Sequence, residues 1–316
     1  MILTILKETI LTMTNNLIVL LGPTGVGKTD LSIALSKEFD APIVSSDSRQ
    51  IYSEMTVGTA VPSKEQLDAV KHYFIQCKSI KENYTCGKFE IEALELLKEL
   101  FRTHAYVLLT GGSGLYIDAL CNGMDDLPDT DWELRKQLNE EYAIAGLSPL
   151  LERLRKLDPV YYEQVDKNNP QRIIRALEVC IGTGKPYSLL RTHKGKSRDF
   201  NIIKIGLTRP REELYERINR RVEMMLEEGL EEEARTLYPL RSLNALQTVG
   251  YKEFFDYFDG NCSKEEAILA IQQNSRRYAK RQMTWFNKDK TITWFHPSRQ
   301  EDIIQYIKET SLLLDK

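Results

Sequence analysis

Five short runs of the chain are largely apolar: Leu17–Leu21, Ile43–Ser46, Tyr106–Thr110, Ile202–Leu207 and, near the end, Ile292–Phe295. Runs of this length without polar alternation predict strands covered on both faces, as in a parallel sheet. Between them the apolar period lengthens. Lys28 to Phe39 reads as a helix, and Phe89, Ala93, Leu94, Leu96, Leu97, Leu100 and Phe101 place a buried stripe on a second. Strands alternating with helices predict an α/β core, a parallel sheet flanked by helices.

From about Asp125 to Arg198 the strand signal disappears. The turn-rich Asp125-Asp126-Leu127-Pro128-Asp129 opens a stretch with helical periods at Trp132–Ala145, Pro149–Leu157 and Pro170–Ile181. Ser148-Pro149 and Asn169-Pro170 each read as a capping residue followed by proline at the first helical position. The pattern therefore divides the chain into an arm (1–16), a core (17–124 and 199–316) and an all-helical insertion (125–198). Ser263-Lys264-Glu265-Glu266 is a capping box that opens a long helix towards Asn287.

The first strand runs directly into Gly22-Pro23-Thr24-Gly25-Val26-Gly27-Lys28-Thr29 and then a helix. This is a P-loop in its strand-loop-helix setting. Glycines let the backbone close around phosphate oxygens, loop amides and the helix start supply partial positive charge, and Lys28 adds a full one. Thr29 is placed to put its hydroxyl on a magnesium ion. A phosphate-bearing substrate is the first expectation.

Composition narrows the class. The 316 residues are 42% apolar, enough for a large packed interior, and the formal charge of −3 excludes a uniformly basic nucleic-acid binder. Basic residues are nonetheless clustered. Cys77, Cys86, Cys121, Cys180 and Cys262 form no CxxC pair, so neither a disulfide framework nor a four-thiolate zinc site is expected, and reduced cytoplasmic thiols are. No apolar run approaches the roughly 20 residues of a membrane helix, and the apolar start, Met1 to Glu8, lacks the basic leader of a signal peptide. The arm is assigned no function.

Asp47, at the end of the second strand, is expected at the crevice shared with the P-loop, where its carboxylate can take a proton from a nucleophile. The competing reading is an aspartate that only caps the next turn. Gly111-Gly112-Ser113-Gly114 follows the third strand at the same edge, without the acid that holds magnesium in hydrolytic P-loop enzymes. Gln171-Arg172-Ile173-Ile174-Arg175 lies on an amphipathic helix. With Lys185, Arg191, Lys194, Lys196 and Arg198 its arginines make seven basic residues against Glu178 alone, a segment suited to a polyanion. Arg276, Arg277, Lys280 and Arg281 stand at helical spacing, with Trp285 one step on; they are either a solvated face or a strip that contacts phosphates and stacks a base. One of Arg217, Arg220 and Arg221 is expected to reach back to the phosphates, and sequence does not choose among them. His72, His104, His193 and His296 show no ligand spacing.

The ordered motifs resemble the bacterial tRNA dimethylallyltransferase (tRNA isopentenyltransferase, IPP transferase) family over nearly the whole chain after Asn16: GPTGVGKT, SSDSRQIY, VGTAVP, LTGGSGLYI, Pro170-Gln171-Arg172 with RALEV, RINRRVEMM, TVGYKE and RRYAKRQMTWF. The resemblance implies transfer of a dimethylallyl group from dimethylallyl diphosphate to N6 of the adenosine beside the anticodon, adenosine 37, in tRNAs reading codons that begin with U. It implies a P-loop fold holding diphosphate, with Mg2+ on Thr29, and catalytic roles for Asp47, Thr24 and Arg221. It also implies tRNA contacts at Asp47, Ser48, Arg49, Gln50, Ser113, Arg135, Gln171, Arg172, Ile173, Ile174, Arg175, Thr248, Val249, Gly250, Tyr251, Lys252 and Glu253. The insertion would then grip the anticodon stem-loop, and a cytoplasmic monomer without an obligate protein partner is expected. Ser113 replaces the usual threonine and Lys252-Glu253 the usual arginine and glutamine. The rival reading is a small-molecule or nucleoside kinase with ATP in the P-loop; an RNA-binding module with a vestigial loop fits Lys28, Thr29 and Asp47 poorly.

Overall fold

The structure, a computed structural model, describes residues 14–129, 131–192 and 194–314. Most of the expected arm, together with His193, lies outside the described residues. The chain divides into two compact units, Met1–Cys121 with Arg198–Lys316, and Asn122–Ser197.

Six strands form the sheet of the first unit: β1 (Asn16–Leu21), β2 (Ile43–Ser45), β3 (His72–Tyr73), β4 (Tyr106–Gly111), β5 (Asn201–Leu207) and β6 (Thr293–Phe295). Their order is β3-β2-β4-β1-β5-β6, and every pairing is parallel. The period of two along β1 sends Leu17, Val19 and Leu21 to one apolar cluster, with the helix Cys86–Leu100, and Ile18 and Leu20 to another, with the helix Lys28–Phe39. Both faces are thus covered, which accounts for the unbroken apolar run. Asn16, expected in the arm, is the first residue of β1. The edge strand β3 has only two residues, too few for any period to be read.

Beyond the sheet, Leu230, Ala234, Leu246, Tyr251, Phe254, Phe255 and Ile271 close on Ile51, Tyr52 and Met55 as a third cluster. It carries helices Leu230–Leu237 and Tyr251–Phe258 against the long helix Lys264–Phe286. Ser263 caps that helix with the expected box: its side chain accepts from Glu266 N, and Glu266 accepts from Ser263 N.

Among the described residues the regular elements of the second unit are all helices: Trp132–Ala145, Ser148–Leu157, Pro159–Gln164, Pro170–Thr183 and Tyr187–Leu190. Leu138, Leu150, Leu154, Ile173, Ile174 and Leu177 form its core. Asn169 caps its helix by accepting from Arg172 N at 3.2 Å. Ser148 does not cap: the helix already includes it, and Leu147 holds the cap position with no side-chain bond. Asp158 does the capping that sequence did not reveal. Fully buried, it accepts from Tyr161 N, Ser188 N and Ser188 Oγ.

Candidate active site at the phosphate loop

β1 ends at Leu21, and the loop turns through Gly25 and Gly27, whose φ angles of 78° and 106° lie in the left-handed region open to glycine. A Cβ on Gly25 would also sit 2.9 Å from Ile218 Cγ1. Inside the loop, Lys28 Nζ donates to the carbonyls of Gly22 and Pro23, both at 2.9 Å. Burial, helped by the Arg221 charge and opposed by Asp47, lowers its pKa to about 7.

Three guanidinium groups surround the loop. Arg209 Nε donates to Val26 O at 2.8 Å, Arg217 Nε to Gly25 O at 2.9 Å, and Arg221 to Thr24 Oγ1 at 3.3 Å. Of the three arginines left open by the sequence, 217 and 221 reach the loop, whereas Arg220 is exposed. Burial lowers the pKa of Arg221, with Asp47 opposing the shift. Gln282, which sequence reasoning missed, bridges two turns: its Oε1 accepts from Thr24 N and its Nε2 donates to Gly112 O, each at 2.9 Å.

Asp47 follows β2 at the same sheet edge. Its Oδ1 accepts from Arg49 N at 2.8 Å and Gln50 N at 3.3 Å, so it holds its turn as well as facing the site. Ser113 Oγ accepts from Ser48 N and donates to Ser48 Oγ. Tyr278, also unforeseen, bonds Ser113, and burial together with the Asp47 charge pushes its phenol up to about 12.

A cavity of about 670 Å³ is lined by Thr24, Asp47, Ser48, Arg49 and Arg221 together with Thr248, Val249, Gly250, Lys252 and Glu253. Ile218, Val222, Met225 and Ile271 give it an apolar wall, while Tyr278 and Arg281 add polar groups. The expected catalytic residues and the TVGYKE segment thus share one space.

Several other expected contacts have different duties. Gln50 Nε2 donates to Thr59 O and Ala60 O and anchors a loop. Tyr251 is fully buried. Glu253 is buried, tied to Gly250 N and Asn274 Nδ2, while Lys252 is exposed. Trp285 is half-buried: its Nε1 donates to Asp118 at 2.8 Å, its ring lies against Gly114 and Lys288 sits over it. Arg277, Lys280 and Arg281 remain exposed on the same helix.

In the helical unit Gln171 and Arg172 are exposed, but Ile173 and Ile174 are 0% and 1% exposed, core side chains with no surface for RNA. Arg135 and Arg175 both pair with the buried Glu178, and Arg175 also donates to Pro128 O. Of the basic run, Arg191 packs over the Tyr161 and Tyr187 rings and Lys196 pairs with Asp126. Arg198, in the first unit, is committed to Glu90 and the carbonyls of Ala119 and Leu120.

A family model described as IPP transferase matches residues 50–289. The chain belongs to the IPP transferase family. The matched span begins after the P-loop and Asp47, so the family signal does not depend on the phosphate motif. A protein named tRNA dimethylallyltransferase 2 from Porphyromonas gingivalis is 54% identical over 293 residues, 93% of this chain and 98% of the relative. A tRNA dimethylallyltransferase from Flavobacterium johnsoniae is 50% identical over 300 residues, 93% and 97% of the two chains. The crystal structure of a tRNA isopentenylpyrophosphate transferase from Bacillus halodurans, 37% identical, superposes with a TM-score of 0.69 over 96% of this chain and all of that one. A eukaryotic dimethylallyltransferase acting on tRNA, 24% identical, has the same fold at a TM-score of 0.75, over 95% of this chain and 78% of its own. The IPP transferase fold is therefore the P-loop-type parallel sheet expected from the strand pattern.

Proposed function

We propose that this chain is a tRNA dimethylallyltransferase that moves a five-carbon allyl group from dimethylallyl diphosphate to N6 of the adenosine beside the anticodon, in tRNAs reading codons that begin with U. The names carried by relatives about half identical over almost their full length support this reading over the kinase. One observation carries the chemistry: Asp47, the P-loop's Thr24 and the Arg221 that bonds it line a cavity together with Thr248–Gly250, Lys252 and Glu253, so a carboxylate and the edge of the phosphate loop face one substrate space.

In the reaction, the allylic carbon–oxygen bond breaks and its electron pair leaves on diphosphate. The loop amides, Lys28 and Arg221 stabilise that charge. N6 of adenine forms the new bond to the allylic carbon, and its proton passes to the Asp47 carboxylate. The adenine must leave the anticodon stack to reach the donor. The apolar wall of Ile218, Val222 and Met225 suits an allyl tail and a planar base better than water.

Magnesium fits the groups present. Ser46 Oγ and Thr110 Oγ1, at the ends of β2 and β4, are buried without a hydrogen-bond partner, and Thr110 stands at the end of the strand where hydrolytic P-loop enzymes place an acid. Among the described residues no cluster of three or more His, Cys, Asp or Glu could hold an ion alone. Thr29 would share the cation with substrate phosphates and water, as suits Mg2+. When bound, it adds positive charge beside the leaving diphosphate.

Exposed Gln171, Arg172, Lys185 and Lys194 suit the helical unit to the phosphates of an anticodon stem. No helix among the described residues is long and apolar enough to cross a membrane. A tRNA substrate suits a cytoplasmic reaction.

The test is diphosphate release. Diphosphate should appear only when dimethylallyl diphosphate and unmodified tRNA are both supplied. ATP consumption with a small acceptor, and no diphosphate from the allyl donor, would return the kinase reading.

A further inference from the structure

The segment Thr56-Val57-Gly58 presents three successive backbone amides to one side chain, Glu233, from a helix 175 to 177 residues away in sequence. Glu233 Oε2 accepts from Thr56 N at 2.9 Å and Val57 N at 2.8 Å, and Oε1 from Gly58 N at 2.9 Å. The Tyr251 hydroxyl adds a fourth donor to Oε1 at 2.6 Å. An ionised carboxylate has about four lone-pair sites, so the set is filled.

The groups held this way lie in or directly beside two walls of the cavity. Gly58 and Thr59 line one side, and Tyr251 sits inside the Thr248–Glu253 stretch that lines another. The two walls also interlock sterically, since a Cβ on Gly58 would lie 2.6 Å from the Tyr251 ring. Gln50 extends the network from Thr59 O and Ala60 O to the turn held by Asp47. The P-loop is fixed by other groups, Gln282, Arg209 and Arg217. Donor and acceptor ends of the site therefore have separate supports.

We propose that Glu233 is a positioning residue for the acceptor end: it locks the Thr56–Ala60 loop onto Tyr251 and so sets the wall against which the adenine is presented to Asp47. The inference rests on the transferase reading of the site. Glu233 touches no substrate and acts only through the backbone it holds.

Glu233→Gln tests it. The amide group would turn N–H towards donors and open at least one side of the set. The expected result is a rise in KM for tRNA on the order of tenfold to a hundredfold with KM for dimethylallyl diphosphate close to wild type, while the unpaired backbone amides lower Tm. Glu232→Gln, one residue away and exposed, should change neither. Gly58→Ala, which wedges the same two walls apart, should copy the effect. Tyr251→Phe, losing one bond of four, should give a smaller one and serves if Glu233→Gln does not fold. An unchanged KM for tRNA in all three variants overturns the proposal, as does a rise in KM for dimethylallyl diphosphate equal to that for tRNA. A wild-type enzyme that transfers no allyl group would instead refute the function, and that arm is read separately.

Discussion

Raising pH from 7 to 9 should weaken donor binding through Lys28. In the substrate-free site its nitrogen spends two hydrogen bonds on Gly22 O and Pro23 O, the number a neutral amine can donate, and its pKa falls to about 7 through burial first and Arg221 second. Diphosphate oxygens at the loop favour the charged form and draw the pKa back towards the ordinary 10.5. The free lysine is then about half charged at pH 7 and about one part in a hundred charged at pH 9, while the bound one stays charged. Affinity should fall roughly fifty-fold over that span, about 2.3 kcal/mol, with uptake of close to one proton per diphosphate at the upper end. Calorimetry of inorganic diphosphate with magnesium, in two buffers of different ionisation enthalpy, reads both quantities. Lys28→Met should bind weakly and lose the slope. Equal affinity at pH 7 and 9, or the same heat in both buffers, would refute the reasoning. The same shift makes the substrate-free fold gain stability as pH rises from about 7 to 10.5, because the unfolded chain keeps a proton that the folded lysine has shed.

Three further outcomes separate structure from chemistry. Asp47→Asn keeps an oxygen for Arg49 N and Gln50 N, so the fold and donor Kd should hold while kcat drops by about 10²- to 10⁴-fold in a single-turnover transfer assay. Gln282→Leu leaves Thr24 N and Gly112 O unpaired, each costing about 1–3 kcal/mol, and should lower Tm and weaken diphosphate binding together. In the helical unit Arg172→Ala should leave denaturation unchanged and reduce the salt slope of tRNA binding by about 1, whereas Ile173→Ala should cost about 2–5 kcal/mol in urea unfolding.

The core sheet could be read from sequence because parallel strands are buried on both faces, and β1 and β4 carry unbroken apolar runs while β5 is interrupted by Lys204. The P-loop was legible because its backbone conformation demands glycine at fixed places. Residues that act through tertiary bonds were not. Gln282 and Tyr278 sit on a helix whose basic residues drew the eye, and nothing in their spacing says that they reach Thr24 and Ser113. Glu233 is one of three successive glutamates, and only the fold distinguishes it. Charge counting erred the other way: Arg198 and Arg175 looked available to a polyanion but are engaged with Glu90 and Glu178, because a sequence window does not show which acid a base will meet.

The central claim, prenyl transfer to adenine at the Asp47 cavity, is tested most directly by mass. Unmodified tRNA incubated with the enzyme, magnesium and dimethylallyl diphosphate should yield, after digestion, one adenosine per molecule in which a five-carbon allyl group replaces a hydrogen, located beside the anticodon and missing with Asp47→Asn. Nucleosides of unchanged mass from the wild-type reaction, or an Asp47→Asn enzyme that modifies tRNA at the wild-type rate, would contradict it.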